Sequence, residues 1–453
     1  MTDTTAAFRF GFGLPLPEGA PTTPEAMMAA LRGPDLAAQT HFGGGGMVEL
    51  LPLMENMRLA RIEYKKNPDK KGAGKAERRA VQATHAMATV FMRATIARAV
   101  DSPDGLRERL AAFWADHFTT VSRSKLDRAL PGSLMEDAIR PNLTGRFAAL
   151  LQAVTLHPAM LIYLDQVNSI GPTSTRGKRR GKGLNENLAR ELMELHTLGV
   201  GSAYTQADVR EMAELLTGLT FVGDKGFAFD QSRVEPGPDQ VLGVSYDGKG
   251  LDPIKAALTD LARHPDTVRH VSGKLATHFV ADTPDAGLVE ALVAAWQDSD
   301  GDLGMVTQAL LTHPAVWQAP PAKARQPFEF LVAGLRALGI SGADVVAMPD
   351  KEFTNYIAGR LRDMGQPWHG AGGPDGWPEA AEAWINPQRL ASRITWAMEV
   401  PARLVDPLPD PRDFAARALG DRASEVLMVA AGRAESLREG VGLVLASPEF
   451  NRR

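Results

Sequence analysis

GLNENLARELMELHTLG, residues 183–199, is the stretch from which the rest of the chain is read. Leu184, Leu188, Leu192 and Leu195 recur at helical spacing and give a helix over 184–199 with one apolar stripe. On an ideal helix Asn187, Glu191 and Glu194 line one flank, with Glu191 hard against the apolar face. Glu186, Arg190 and Glu194 follow one another at intervals of four, the spacing of an ion-pair ladder. His196 falls on the opposite flank, near Ala189 and Leu192. Glu191 and Glu194 therefore cannot share a metal with His196 on this helix alone. Ferritin-like sites need Glu and His three apart on one face, and no metal is assigned here.

Composition sets the outer bounds. The chain has 453 residues, 44% apolar and 23% charged, ample for a sizeable core. A net charge of −4 argues against specific nucleic-acid binding, which calls for a basic domain. With no cysteine, disulfides, thiolate nucleophiles and cysteine-ligated metals are excluded. The first twenty residues lack a basic segment followed by an apolar one, and no window nears the roughly 18 apolar residues of a membrane span. The expected location is cytoplasmic.

Outward from the opening helix, the pattern is helical nearly throughout. Residues 1–22 read as an extended arm, after which Thr23 caps a helix with Pro24 at its first position. Helix is expected over 47–64 and 76–100, separated by a solvated basic loop at 65–75. A helix over 104–118 carries the stripe Leu106, Leu110, Phe113, Trp114 and His117, which turns His117 into the core; His85 is placed similarly on its own helix. A second basic loop, 171–183, precedes the opening helix, and Thr205 and Asp208 form a capping box after it. Residues 219–245 suggest one short hairpin. Helices resume at Pro253, a Trp-rich loop occupies 366–387, and three helical segments close the chain. His-Pro and Ser-Pro pairs at 157, 264, 313 and 447 read as helix starts in which the residue before Pro is the cap. DSDGDLG (298–304) fails as a calcium loop, because Gly stands fourth and no Glu stands twelfth; Asp302 is a helix cap instead.

Candidate chemistry concentrates on two helices. A buried neutral histidine left without a partner costs about 1–3 kcal/mol, so His117 needs one. His117 and Glu191 are expected to face one polar pocket, with Arg190, Glu194 and His196 as further catalytic candidates and Asn185 and Asn187 as ligand-binding ones. The bland alternative is an amphipathic helix with salt-bridged flanks and a satisfied core histidine. Trp368, Trp377 and Trp384 either line a lid over a ligand or plug a gap between helices. Nucleophile-elbow and zincin motifs are absent.

RFGFG, FWADHFTT, HPAMLIYLD, NENLARELMELHTLGV, EPGPDQVLG, PFEFLVAGLRALG, PDGWPEAAEAWINP and LASPEF together resemble the bacterial family Domain of Unknown Function 1800, over nearly the whole chain. The resemblance implies a largely helical protein of no established activity, cofactor unknown. It also implies a neighbouring exported sulfatase-like protein as partner, and with it a periplasmic location by co-export. Family members frequently show Asn where Asp116 stands, which sets Asp116 aside as a candidate; the leader that many carry is not expected here, which puts periplasmic residence in doubt.

The expected fold is all-α and multi-helical, one extended core with a minor β-hairpin near 219–245. A division is expected at that hairpin, into an N-terminal half (1–218) and a C-terminal half (219–453), unless the two are continuous. Two functions stay open: an accessory or partner-binding protein, or an enzyme or metal- or small-molecule-binding protein with a buried polar site. The second requires His117, Arg190 and Glu191 to converge on a pocket of a few hundred Å3, the usual scale of ligand sites.

Overall fold

In the computed structural model all residues are described except 1–2, 43, 68–69, 123, 125–126 and 181–182. Helices dominate, and the strands form two small antiparallel sheets, Leu219–Val222 with Gly226–Phe229 and Asp239–Val241 with Val244–Tyr246. The expected all-α fold is what is found, with the minor hairpin refined to two. No helix among the described residues is long and apolar enough to cross a membrane.

Local chemistry starts the helices where the sequence places the starts. Thr23 Oγ1 accepts from Ala26 N with Pro24 following, and Thr205 and Asp208 complete their capping box. His157, His264 and His313 each accept a backbone N–H two residues on, and Ser447 accepts from Phe450 N. Asp302 accepts from Met305 N as a cap. Asp300 is occupied by Arg146 and by Arg263 at 2.7 Å, as befits a surface ion pair.

Several loops are more ordered than expected. The N-terminal arm begins as a helix, Asp3–Arg9, because Ala6, Ala7 and Phe8 bury into the core and Arg9 donates to the Ala319 carbonyl at 2.9 Å. The basic stretch 65–75 is mostly helical: Gly46–Lys66 runs to its edge and Lys70–Asp101 starts within it, with Ala73 buried. Pro68 and Asp69 of that loop lie outside the described residues. In the second basic loop Thr175–Arg180 is helical, started by Ser174 Oγ accepting from Gly177 N at 3.0 Å. The Trp-rich loop holds a short helix, Ala381–Trp384, and more than three helical segments close the chain. Pro and Gly mark turns well, but they do not reveal short helices that tertiary contacts stabilise.

The opening helix departs from ideal geometry. It starts at Asn187 and passes after Glu191 into a π-helical turn, Leu192–Thr197, with Leu198 N bonded to Met193 O at 2.9 Å and Thr197 Oγ1 to Leu192 O at 2.7 Å. The wide turn rotates the register, so that Met193 and His196 are buried whereas Leu195 is only partly so.

The apolar interior forms two clusters. One gathers residues from Ala6 to Val316, including Trp114, Phe118, Phe147 and Trp296; the other joins residues 330–450 to Phe8, Phe12, Met92 and Ile96. The Asp3–Arg9 and Lys70–Asp101 helices contribute to one or both clusters, and the Gly105–His117 helix packs where the clusters meet the loop 366–387.

Candidate functional site

Three elements converge beside the C-terminal turn of the Gly105–His117 helix. That helix is fixed at its start by Asp104, which accepts from Arg107 N at 3.1 Å and from Arg107 Nε at 2.9 Å. Its last turn delivers Asp116 and His117. The Pro265–Phe279 helix delivers His270, Lys274 and His278, four residues apart and hence on one face. The loop 366–387 brings Asp375, Trp377 and Glu379. Gly376 makes the approach possible: with φ +80 it takes the left-handed region, and a Cβ there would sit 2.7 Å from the Asp116 carbonyl oxygen. Trp377 N then donates to Asp116 Oδ1 at 2.8 Å.

The three elements enclose a cleft of about 490 Å3 lined by Asp116, His117, His270, Lys274, Trp377 and Glu379 among others. Across Asp116 and Trp377 lies a smaller cavity, about 110 Å3, bounded by His278, Gln366, Trp368 and His369. Trp384 is fully buried behind Trp377, with ring centroids 5.9 Å apart, and its Nε1 donates to Pro378 O at 2.7 Å. Of the three tryptophans, two therefore line cavities and one is a plug.

Charge in this cleft is unusual. Burial pushes the Asp116 carboxyl up to about 7; the Trp377 N–H opposes that, while Glu379 and Asp375 add to it. Burial lowers Lys274 from the usual ammonium range, although Asp116, Glu379 and Asp375 favour its charge. No hydrogen bond or ion pair within contact distance holds Lys274 among the described residues. His117 is held well below its ordinary value by burial, then by Lys274 and its neighbouring histidines, and is therefore neutral. Its Nε2–H donates to His196 O at 3.2 Å, which leaves a buried Nδ1 without a partner among the described residues.

Beneath the cleft a charged network holds these groups in place. His278 Nδ1 donates to Glu379 Oε1 at 2.6 Å, and Lys323 Nζ donates to Glu379 Oε2 at 2.7 Å. Arg109 donates to His278 Nε2 at 3.2 Å and pairs with Glu329, whose other oxygen accepts from Arg453 Nε at 2.7 Å. Glu379 is thus kept ionised chiefly by His278 and Lys323 against the cost of burial, and its charge is already balanced. Among the described residues Lys274 has no direct counter-ion in the cleft.

The candidates from the opening helix divide. His196 is buried beside Phe118 and His117, and burial drives it down to about 3, with an unpartnered Nε2. Arg190 is half-exposed and bonds Glu186 Oε2 at 3.2 Å and Gln206 Oε1 at 2.9 Å, the first rung of the expected ladder. Glu191 is outside the cleft lining; burial, Glu194 and Asp375 raise it, so Asp375 is the charge it shares with the Asp116 site. Glu194 is partly buried and hydrogen-bonds Tyr204. Asn185 accepts from Asn187 N at 2.9 Å and donates to Asp165 O at 3.3 Å, a local turn; Asn187 is exposed. His85 is partly buried on the Lys70–Asp101 helix.

Sequence reasoning set Asp116 aside and did not single out Lys274, His270, His278 or Glu379. One signal was present for three of them: His270, Lys274 and His278 repeat at four on the polar edge of an apolar helix. The pairing of that helix with residues 375–379 is a tertiary fact with no local trace.

The family model described as Protein of unknown function (DUF1800) matches residues 9–452. Neither the curated proteins nor the solved structures give a match.

Proposed function

We propose, for a chain that belongs to the DUF1800 family of proteins of unknown function, a small-molecule site at the Asp116–Lys274 cleft in which Asp116 exchanges a proton with the ligand. The observation that carries this reading is the meeting of Lys274, unpaired among the described residues, with a carboxyl that burial pushes up to about 7, in a cleft of ligand size. A general acid–base works best when its pKa lies near the working pH, which the position of Asp116 supplies.

The ligand class follows from the charges. Lys274 offers three N–H donors and a positive charge that Glu379, already engaged, does not neutralise. Asp116 offers a proton acceptor to a hydroxyl group. Small hydroxylated acids satisfy both, with the anionic group at Lys274 and a hydroxyl at Asp116. The test is ligand-observed NMR with glycolate, lactate and gluconate. Binding by at least one of them, lost in Lys274→Met, supports the reading. Equal signals from wild type and variant, or no binding by any of the three, refute it.

A second reading is partner binding, beside an exported sulfatase-like protein or another. Val426 and Val429, 80% and 45% exposed and three apart on the Glu425–Gly432 helix, favour an apolar contact there. Co-purification of a partner that is lost in Val426→Asp tests it.

A further inference from the structure

We propose that Glu211, Glu214 and Asp239 form a binding site for a hard divalent cation of calcium size, separate from the Asp116–Lys274 cleft. Glu211 and Glu214 stand three apart on the Gln206–Leu215 helix and so share a face. The strand Asp239–Val241 lies against that helix and is held there by two backbone contacts: Gln240 N donates to Glu211 Oε2 at 2.8 Å, and Leu242 N to Asp208 Oδ1 at 2.7 Å. Register with Val244–Tyr246 places Asp239 opposite Tyr246. One oxygen from each of the three carboxylates lies within 4.8 Å of the others.

A cluster of acids is common on protein surfaces; the feature that distinguishes this one is Asp239. It is only 7% exposed, yet its carboxylate has no hydrogen-bond or ion-pair partner among the described residues. The groups facing it are Glu211 and Glu214, with Glu235 adding further negative charge. A largely buried carboxylate without a partner of its own, aimed at two others, is a ready cation ligand.

The donor set selects the ion. All three ligands are carboxylate oxygens, which suit hard cations, and the flexible six- to eight-fold coordination of Ca2+ takes such an open set more readily than the near-ideal octahedron of Mg2+. Glu211 and Glu214 each spend one oxygen on a local donor, Gln240 N and Arg210 Nε at 3.0 Å, and keep the other for the ion. Water would fill the remaining coordination positions, as is usual in open sites. Bound cation would tie the second hairpin to the Gln206–Leu215 helix.

Calorimetric titration of the chelator-treated full chain with Ca2+ tests the site, with Mg2+ in a parallel arm. One Ca2+ per chain is expected, bound more tightly than Mg2+ and accompanied by a rise in Tm. Asp239→Asn is expected to fold, with an unliganded Tm equal to or above that of the wild type, and to weaken Ca2+ at least tenfold. Absence of heat and of any Tm change with Ca2+ overturns the proposal, as does undiminished binding in Asp239→Asn. Tighter binding of Mg2+ than of Ca2+ overturns the choice of ion.

Discussion

Trp377 donates its backbone N–H to the Asp116 carboxylate at 2.8 Å, across 261 positions of sequence. That bond closes the loop 366–387 over the C-terminal turn of the Gly105–His117 helix and makes Asp116 the wall between two cavities. Everything proposed for the cleft depends on this contact.

Asp116→Asn removes the group that is expected to move protons while keeping its hydrogen bond from Trp377. Asp116 has a folded pKa near 7, above its unfolded value, so the folded state binds the extra proton between about pH 4 and 7. Stability is therefore lost as pH rises through that window. The variant should be more stable than wild type at pH 8 by about 1–2 kcal/mol, after allowance for partial solvent screening, and equal to it below pH 4. Denaturant unfolding at both pH values checks this.

Lys274→Met should behave as a stability–function exchange. Burial disfavours the ammonium, so its replacement by an apolar chain of similar length raises stability by roughly 0.5–1 kcal/mol at pH 7. Hydroxy-acid binding should fall at least tenfold in the same protein. A thermal melt and a binding titration on one preparation separate the two effects.

Glu329→Gln tests the charged network under the site. It strands Arg109 and Arg453 in the interior, and breaking such a buried pair costs about 3–5 kcal/mol. Chemical denaturation should show that loss. Its size should exceed the effect of any cleft substitution.

Acid stability should be set in part by the buried histidines. His196 and His278 have folded values near 3 and 4, below the unfolded value near 6.5, so the unfolded chain takes up their protons first. Their contribution is complete above about pH 6.5 and is lost as pH falls towards 4. His196→Gln, which cannot titrate, should flatten the stability profile between pH 6.5 and 4 relative to wild type.

The sequence disclosed what local chemistry determines. The caps at Thr23, Thr205, His157, His264, His313 and Asp302 are all readable because a side chain answers a backbone group within three residues. The inward turn of His117 was readable from its stripe. His196 was read as a flank residue near Ala189 and Leu192; its full burial goes with a π-helical turn after Glu191, of which ideal-helix spacing carries no sign. Asp116 lay beside a correctly read residue, yet its partner, Trp377, and its neighbour, Lys274, arrive from distant parts of the chain. Arg190 and Glu191 stand out for their charge density, but charge on a half-exposed flank is satisfied locally, as the Arg190–Glu186 pair illustrates.

The central claim is that Asp116 sits protonatable near neutrality in a cleft open to a ligand. Carbon-13 NMR of carboxyl-labelled aspartate measures it directly, with Asp116→Asn supplying the assignment. One resonance absent from the variant should titrate at about 7 in the free protein, and its midpoint should move when gluconate is added. Titration of that resonance near 4, with no movement on addition of gluconate, would contradict the account.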